Sequence, residues 1–265
     1  MITKKEMSET IKKAGLAGKC VCGHASLKSF GEIKGGAEAV IDAFLENNCT
    51  LMMPTHSWNY MVHPPEGQRP ERNGMDYSAR DSFAAGKNIV FTPETNDIVK
   101  EYMGAVPAAL LEYEGRVRGN HAIASFTAVG PFAAELIRHQ SPMDVFAPLR
   151  ELAEFEGFVV LMGVGFTKMT LLHLAEQMAG RNMFIRWANG PDKKPLAHEC
   201  GGCSEGFDKF EPYLGTLAKE VKAGDSRWRI FKARDFLKKA ARVIQLEPEV
   251  TRCGNKGCLR CEDII

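Results

Sequence analysis

An α/β fold is predicted, with sheet and helices layered in a single domain over residues 1–265 and a long polar loop near 56–91. Three observations predict it. Short apolar runs of buried-strand type, such as Phe158-Val159-Val160-Leu161-Met162, alternate with stretches of helical spacing. Two of these runs lead through a glycine- or serine-rich turn into a helix, as βαβ units do. No internal repeat, heptad run or low-complexity linker divides the chain.

The elements follow in order. Residues 4–14 read as an amphipathic helix, with Met7, Ile11 and Ala14 at helical spacing and Gly15 as a stop. Cys20 to Ala25 is a strand, Ala37 to Leu45 a helix and Thr50 to Pro54 a second strand. From His56 to Phe91 the chain is polar and rich in Pro and Gly, and loops of that length tend to be functional or mobile. It reads as a binding flap or as a variable insertion. Helical patterns follow at 107–114, 131–139 and 147–154. A strand at 157–162 then opens a helix that ends near Gly180, with Leu171, Leu172, Leu174 and Met178 packing. Gly201, Gly202 and Gly206 mark a break, and Pro212 to Val221 reads as helix with proline in its first turn. Trp228 to Phe231 is strand-like and Asp235 to Val243 helical.

Composition narrows the function. The 34 basic and 33 acidic residues leave a net charge of +1, with no basic excess of the kind nucleic-acid binding needs. No apolar stretch approaches the ~18–20 residues that span a membrane. The opening residues lack the apolar core of a signal peptide, which predicts a cytoplasmic protein whose eight cysteines are reduced thiols or metal ligands.

The chemistry concentrates at Gly163-Val164-Gly165 and the helix that follows. A helix starting at the end of a strand lies where α/β proteins place their sites. His173 and Glu176 are three residues apart on one face, so imidazole and carboxylate can meet. Such a pair suits a general base.

The chain resembles the aminoglycoside 3-N-acetyltransferase family of acetyl-coenzyme A–dependent enzymes, which is distinct from the commoner acetyltransferase superfamily. The resemblance runs from residue 15 to 245. Gly23-His24-Ala25-Ser26-Leu27-Lys28-Ser29-Phe30-Gly31, then Gly35-Gly36, is similar to the family's coenzyme-binding loop. Leu51-Met52-Met53-Pro54-Thr55 resembles its MPT strand end, and Arg118-Gly119-Asn120-His121-Ala122-Ile123-Ala124-Ser125-Phe126 its RS-x-HPxxSF segment. Gly163-Val164-Gly165, Thr170, His173 and Glu176 match its GVG and TxxHxxE, and Phe231 to Phe236 its strand into the last helix. Ala122 replaces the usual Pro and Gly119 the usual Ser, and Pro107 to Leu111 lacks an acidic residue often found there. In the family those segments line the acceptor side, so the resemblance implies that these departures bear on the substrate.

The resemblance implies a fold of the family's type and transfer of acetyl from acetyl-coenzyme A to an amine of a small polar acceptor. The family's named target is the aminoglycoside 3-amino group, which would make antibiotic resistance the role. His173 would be the base, Glu176 its orienting partner, and His121 the runner-up that positions a substrate. His24, Ala25, Ser26, Leu27, Lys28, Ser29, Gly31, Gly35 and Gly36, with Ser125 and Phe126, would hold the coenzyme. Small residues let its backbone approach, helix amides attract phosphate, and Lys28 or Lys34 adds charge. Other nucleotide motifs do not compete: GxxxxGK[ST] and a strand-associated GxGxxG are absent. Arg116 to His121 half-resembles the commoner superfamily's pyrophosphate loop but ends in His. A polycationic acceptor needs nearby acid, and Asp76, Asp81, Glu94, Asp144 and Glu176 are the candidates.

Cys200-Gly201-Gly202-Cys203 and Cys253 to Cys261 form a CxxC and a CxxxxCxxC, a zinc-like spacing. Cys203, and Cys253, Cys258 and Cys261 of a Cys-rich tail at about 250–265, are the expected structural ligands, with Cys200 able to replace one. Flexible loops with free thiols are the other reading. Cys20 and Cys22 read as core. Two alternatives to the leading function are an acetyltransferase of a non-aminoglycoside amine and a catalytically silent, zinc-stabilised binding protein. A hydrolase using Ser125 is disfavoured, because no GxSxG elbow is present.

Overall fold

The computed structural model describes residues 1–78 and 88–265. Helix α1 (Lys4–Ala14) starts at Thr3, whose side chain accepts from the Glu6 N–H while the Glu6 carboxylate takes the Thr3 N–H. This reciprocal cap satisfies two otherwise orphaned donors. Strand β1 (Cys20–Ala25), helix α2 (Gly36–Leu45) and strand β2 (Thr50–Pro54) form a βαβ unit in which β1 and β2 are parallel. A short β3 (Met61–Val62) lies in the polar stretch, followed by α3 (Lys100–Met103) and α4 (Ala105–Leu111). Then come β4 (Val117–Arg118), β5 (Phe126–Val129), α5 (Ala133–Ile137), α6 (Ala147–Glu154), β6 (Phe158–Met162) and α7 (Leu171–Met178). The remainder comprises β7 (Phe184–Asn189), β8 (Pro195–Cys200), α8 (Glu211–Leu214), β9 (Lys219–Ala223), β10 (Ser226–Lys232), α9 (Ala233–Leu246) and α10 (Leu259–Asp263).

The main sheet has the order β4-β5-β2-β1-β6-β10-β9, parallel in the central β2-β1-β6 and antiparallel towards both edges. Side chains alternate between its faces. Val21, Leu51, Met53, Val160 and Trp228 enter a core with α1, α2 and α4. Cys20, Cys22, Met52, Val159, Leu161 and Phe231 enter another with α5, α6, α7 and α9. Both faces of β6 are thus covered, which is why its sequence is an unbroken apolar run. The layered α/β expectation holds.

Three local expectations do not. Pro212 to Val221 is not one helix: α8 stops at Leu214, and Lys219–Ala223 is the edge strand β9, paired with β10 through the two-residue turn Gly224-Asp225. Lys and Glu suit a helix and also guard a strand edge, and the ladder to β10 decides. Residues 184–200, read as no element, form the hairpin β7–β8, which joins β3 in a second, antiparallel sheet. Met178, expected to pack, is 51% exposed.

The carboxyl ends of β1, β2 and β6 point to one side, with β2 and β6 flanking β1. Chain crossings in opposite directions from a central strand open a crevice there. The loops after β1 and β6 are pressed together: Ser26 N–H donates to the Met162 carbonyl at 3.0 Å. Gly163 sits at φ +69°, where an added Cβ would lie 2.0 Å from Ser29 Oγ. Gly163→Ala is therefore expected to destabilise the fold by roughly 2–5 kcal/mol, ~1–2 for a left-handed alanine and ~1–3 for overpacking. Urea unfolding measures it, and an unchanged midpoint would mean the Ser29 loop yields freely.

Candidate active site

Helix α7 carries the centre of the site. It starts just after the β6 turn, so His173 sits in its first turn beside the crevice. His173 Nδ1 lies 2.7 Å from Glu176 Oε2, as the i, i+3 spacing predicts. The Glu176 side chain is 1% exposed and that of His173 14%. Phe207 packs on the imidazole at 4.8 Å and Phe146 lies near-parallel at 6.3 Å. Gly201 closes the remaining side: a Cβ there would come within 2.7 Å of His173 Cγ.

His121, placed by sequence as the second histidine, is fully buried and spent on the protein. Its Nδ1 accepts from the Ala124 N–H at 2.9 Å, so the Nε2–H donates to the Glu199 carbonyl at 2.8 Å. Burial, then neighbouring His198, pushes its pKa down to about 3. His24, at the end of β1, is also pushed down to about 3, by burial and then by His56. His56 carries no sequence expectation, although it directly follows the β2 end at Pro54-Thr55. Burial, followed by His173 and Arg118, brings it to about 4. Its Nε2 has no hydrogen-bond partner among the described residues.

Arg118 staples the wall behind these rings. Its buried guanidinium donates to the Ser125 hydroxyl (2.9 Å) and to the carbonyls of Thr55 (3.0 Å), Thr95 (2.7 Å) and Asp97 (2.9 Å). Burial moves its pKa down to about 10. Ser125 in turn donates to the Thr55 carbonyl at 2.9 Å. Ser125 and Phe126, expected against the coenzyme, have no exposed surface and shape the wall from behind.

The loop after β1 is a 3-10 turn over Leu27–Phe30. The Ser29 hydroxyl is held between the Ser26 carbonyl (2.7 Å) and Ser226 Oγ (2.8 Å), so it fixes the loop to β10. Ala25, Ser26 and Leu27 are partly exposed and Lys28 and Gly31 exposed. Gly35 and Gly36 lead into α2, with Lys34 exposed beside them. A groove of about 510 Å³ next to α2 is lined by small residues, including Ala105 and Ala109. Glu38, Asp97 and Glu112 oppose Lys100 in its lining, so it is electrostatically wrong for a pyrophosphate.

Of the acidic candidates among the described residues, only Glu176 touches His173. Asp144 pairs with Arg150, exposed Glu94 lies beside Arg116, and exposed Asp76 caps Ser78. Asp81 lies outside the described residues. The thiols of Cys203, Cys253, Cys258 and Cys261 all come within 4.8 Å of one another. Cys200 is not among them. It lies at the end of β8, opposite Phe184.

Three neutral histidines set an acid limit on the fold. The folded pKa values of His24, His56 and His121 lie below the unfolded value of about 6.5. The unfolded chain therefore binds more protons as pH falls below about 6.5, and stability declines from there towards pH 4. Urea midpoints across that range should fall, and His121→Asn should flatten the slope. A flat wild-type profile would contradict the buried, neutral assignment.

The family model for aminoglycoside 3-N-acetyltransferase matches residues 23–245. Among curated relatives, aminoglycoside N(3)-acetyltransferase IX of Micromonospora chalcea is 30% identical over 67% of this chain and 63% of its own. The SPbeta prophage-derived aminoglycoside N(3')-acetyltransferase-like protein YokD of Bacillus subtilis is 32% identical over 66% and 64%. The matches thus span a little under two thirds of these relatives' length. In structure, YokD superposes with a TM-score of 0.74 at 25% identity, over 92% of this chain and 100% of that one. The aminoglycoside acetyltransferase AAC(3)-IVa apoenzyme gives 0.75 at 23%, over 99% and 96%. With most of its length, from the β1 loop to the last long helix, inside the family model, the chain belongs to the aminoglycoside 3-N-acetyltransferase family.

Proposed function

We propose that residues 1–265 are one acetyltransferase domain that moves acetyl from acetyl-coenzyme A to the 3-amino group of an aminoglycoside. The observation that carries this is the His173–Glu176 pair, buried at its carboxylate end and partly open at its imidazole. Names of relatives lend support, as does a structural neighbour described as a binary complex with CoASH. Two others are described in complex with a gentamicin and with apramycin.

With the Glu176 carboxylate accepting from Nδ1–H, His173 keeps the Nε2 lone pair for chemistry. The acceptor amine attacks the thioester carbonyl, its proton passes to His173 Nε2, and the carbon–sulfur bond breaks to release the coenzyme thiolate. Glu176 stabilises the imidazolium formed. That proton then leaves with the thiolate as thiol. No acyl-enzyme is required, because holding both substrates together supplies the reaction geometry. His121 has no free nitrogen for this step. It holds the Ala124 and Glu199 backbones that wall the site. In the coenzyme role we place the open residues of the β1 loop, Ala25 to Ser29 and Gly31, with Lys28 and Lys34 towards the phosphates.

A second acceptor reading, an amine other than an aminoglycoside, is favoured by the pairing of Asp144 with Arg150 and the position of Glu94 beside Arg116. Those carboxylates are partly neutralised as partners for a polycation.

His173→Ala should lower kcat by roughly 10²–10⁴-fold, the range for losing a general base, and leave coenzyme affinity nearly unchanged. Near-normal turnover in His173→Ala, with activity lost in His121→Ala, would move the base to the other histidine. Thiol release from acetyl-coenzyme A, across a panel of aminoglycosides and simpler amines, should show turnover with at least one aminoglycoside. Turnover confined to the simpler amines would decide for the second acceptor reading.

A further inference from the structure

Outside the histidine site, the densest cluster of reactive side chains among the described residues is at the tail. Cys203 sits in the loop after β8, Cys253 follows the 3-10 turn Pro248–Thr251, Cys258 precedes α10, and Cys261 lies within it. All four Sγ atoms fall within 4.8 Å of one another, although Cys203 is 50 residues from the nearest of the others in sequence. Within the cluster, the Cys253 and Cys261 sulfurs are 3.5 Å apart. That is far longer than the ~2.05 Å of a disulfide. It is close to the ~3.8 Å edge of a tetrahedron whose thiolates stand ~2.3 Å from a central zinc. The Cys253 N–H points at Cys261 Sγ from 3.3 Å, as amides do towards thiolate ligands. Gly254 and Gly257, at φ +86° and +75°, let the turn double back so that Cys258 rejoins Cys253.

We propose that Cys203, Cys253, Cys258 and Cys261 bind one structural zinc ion, which locks the C-terminal tail against the wall of the His173 site. Four thiolates close the coordination sphere, so the metal holds structure and takes no substrate. Lys256 and Arg260, adjacent in sequence, offset the net negative charge of the centre.

The metal ties together three segments. One is Gly201-Gly202-Cys203, which packs through Gly201 on the His173 ring and through Gly202 on Ile264, where an added Cβ would lie 2.6 Å from Cδ1. The second is α10, whose Asp263 carboxylate accepts from the N–H groups of Asn73 (3.0 Å) and Gly74 (2.7 Å) in the polar stretch. The third is the turn after α9, which carries Cys253. The tail thus bridges the polar stretch and the catalytic wall, and the zinc is the centre common to its fixings. Its binding is independent of which amine the site acetylates.

The test is metal content and coordination of the full chain, purified in reductant without chelator. Elemental analysis should find a single zinc per chain, and Cys258→Ser should lose most of it while Cys200→Ser keeps it. Exchange of the wild type into cobalt should give the intense visible absorption of a tetrahedral thiolate site, a reading that needs no variant to fold. Failure to hold zinc after reduction and zinc addition would overturn the proposal. So would iron in its place, a Cys253–Cys261 disulfide with no metal uptake on reduction, or a weak octahedral cobalt spectrum.

Discussion

A carboxylate without exposed surface, Glu176, bonds through its side chain to His173, and the arrangement around them follows from that burial. An ion taken out of water costs several kcal/mol unless paired in good geometry. The helix supplies that geometry: three residues along α7, imidazole and carboxylate meet at 2.7 Å. In the proposed role the pair must also stand where a substrate can reach Nε2, and the loop 163–170 after β6 carries α7 there. The Gly163 turn makes that possible, because only a residue without Cβ passes Ser29 at such a distance. Phe146 and Phe207 then hold the ring, and Gly201 admits backbone where any side chain would collide.

The other histidines make sense against this pair. His24 and His121 are buried and His56 half-buried, and the loss of hydration keeps each neutral well below physiological pH. The proposed acceptor, a positively charged amine, would therefore meet imidazoles and not imidazolium ions at these three positions. Arg118, the strong cation behind them, is covered by the carbonyls of Thr55, Thr95 and Asp97. Its charge is absorbed by backbone dipoles and fixes the loops after β2 and before α3 in place. The wall is thus tied by hydrogen bonds and weakly charged on its inner side.

The sequence reveals most where two signals coincide. An apolar run next to a glycine turn marks β6, and with the helical spacing beyond it places His173 and Glu176 on one helical face. The three tail thiols and the CxxC at the end of β8 are legible from spacing, whereas which of Cys200 and Cys203 joins the tail depends on how β8 and α9 are laid down. The hairpin β7–β8 escapes a sequence reading because Arg186, Asn189, Pro195 and Glu199 interrupt any apolar alternation, and its strands bury only part of each face. The edge strand β9 reads as helix from its Lys and Glu content, although Gly224-Asp225 between two strand-like runs is a hairpin signal. His56 carries no motif of its own. Its signal is position, immediately after a parallel strand's carboxyl end. Ser125 and Phe126 illustrate the reverse: a matching segment does not say which of its side chains face outward.

The segment Cys200-Gly201-Gly202-Cys203 shows why such spacings resist reading in one dimension. Cys200 ends β8 and is buried across from Phe184, which makes it part of a sheet. Gly201 is the flank of the His173 ring, Gly202 the seat of Ile264, and Cys203 the link to the tail thiols. Four consecutive residues thus meet four different surroundings, and each residue type answers a separate steric or chemical demand. A CxxC read as one unit would assign both cysteines to a metal. The geometry gives one to the sheet and one to the cluster, and reserves the two glycines between them for contacts that no side chain fits. The tail and the His173 ring are consequently in contact with the same short stretch of backbone.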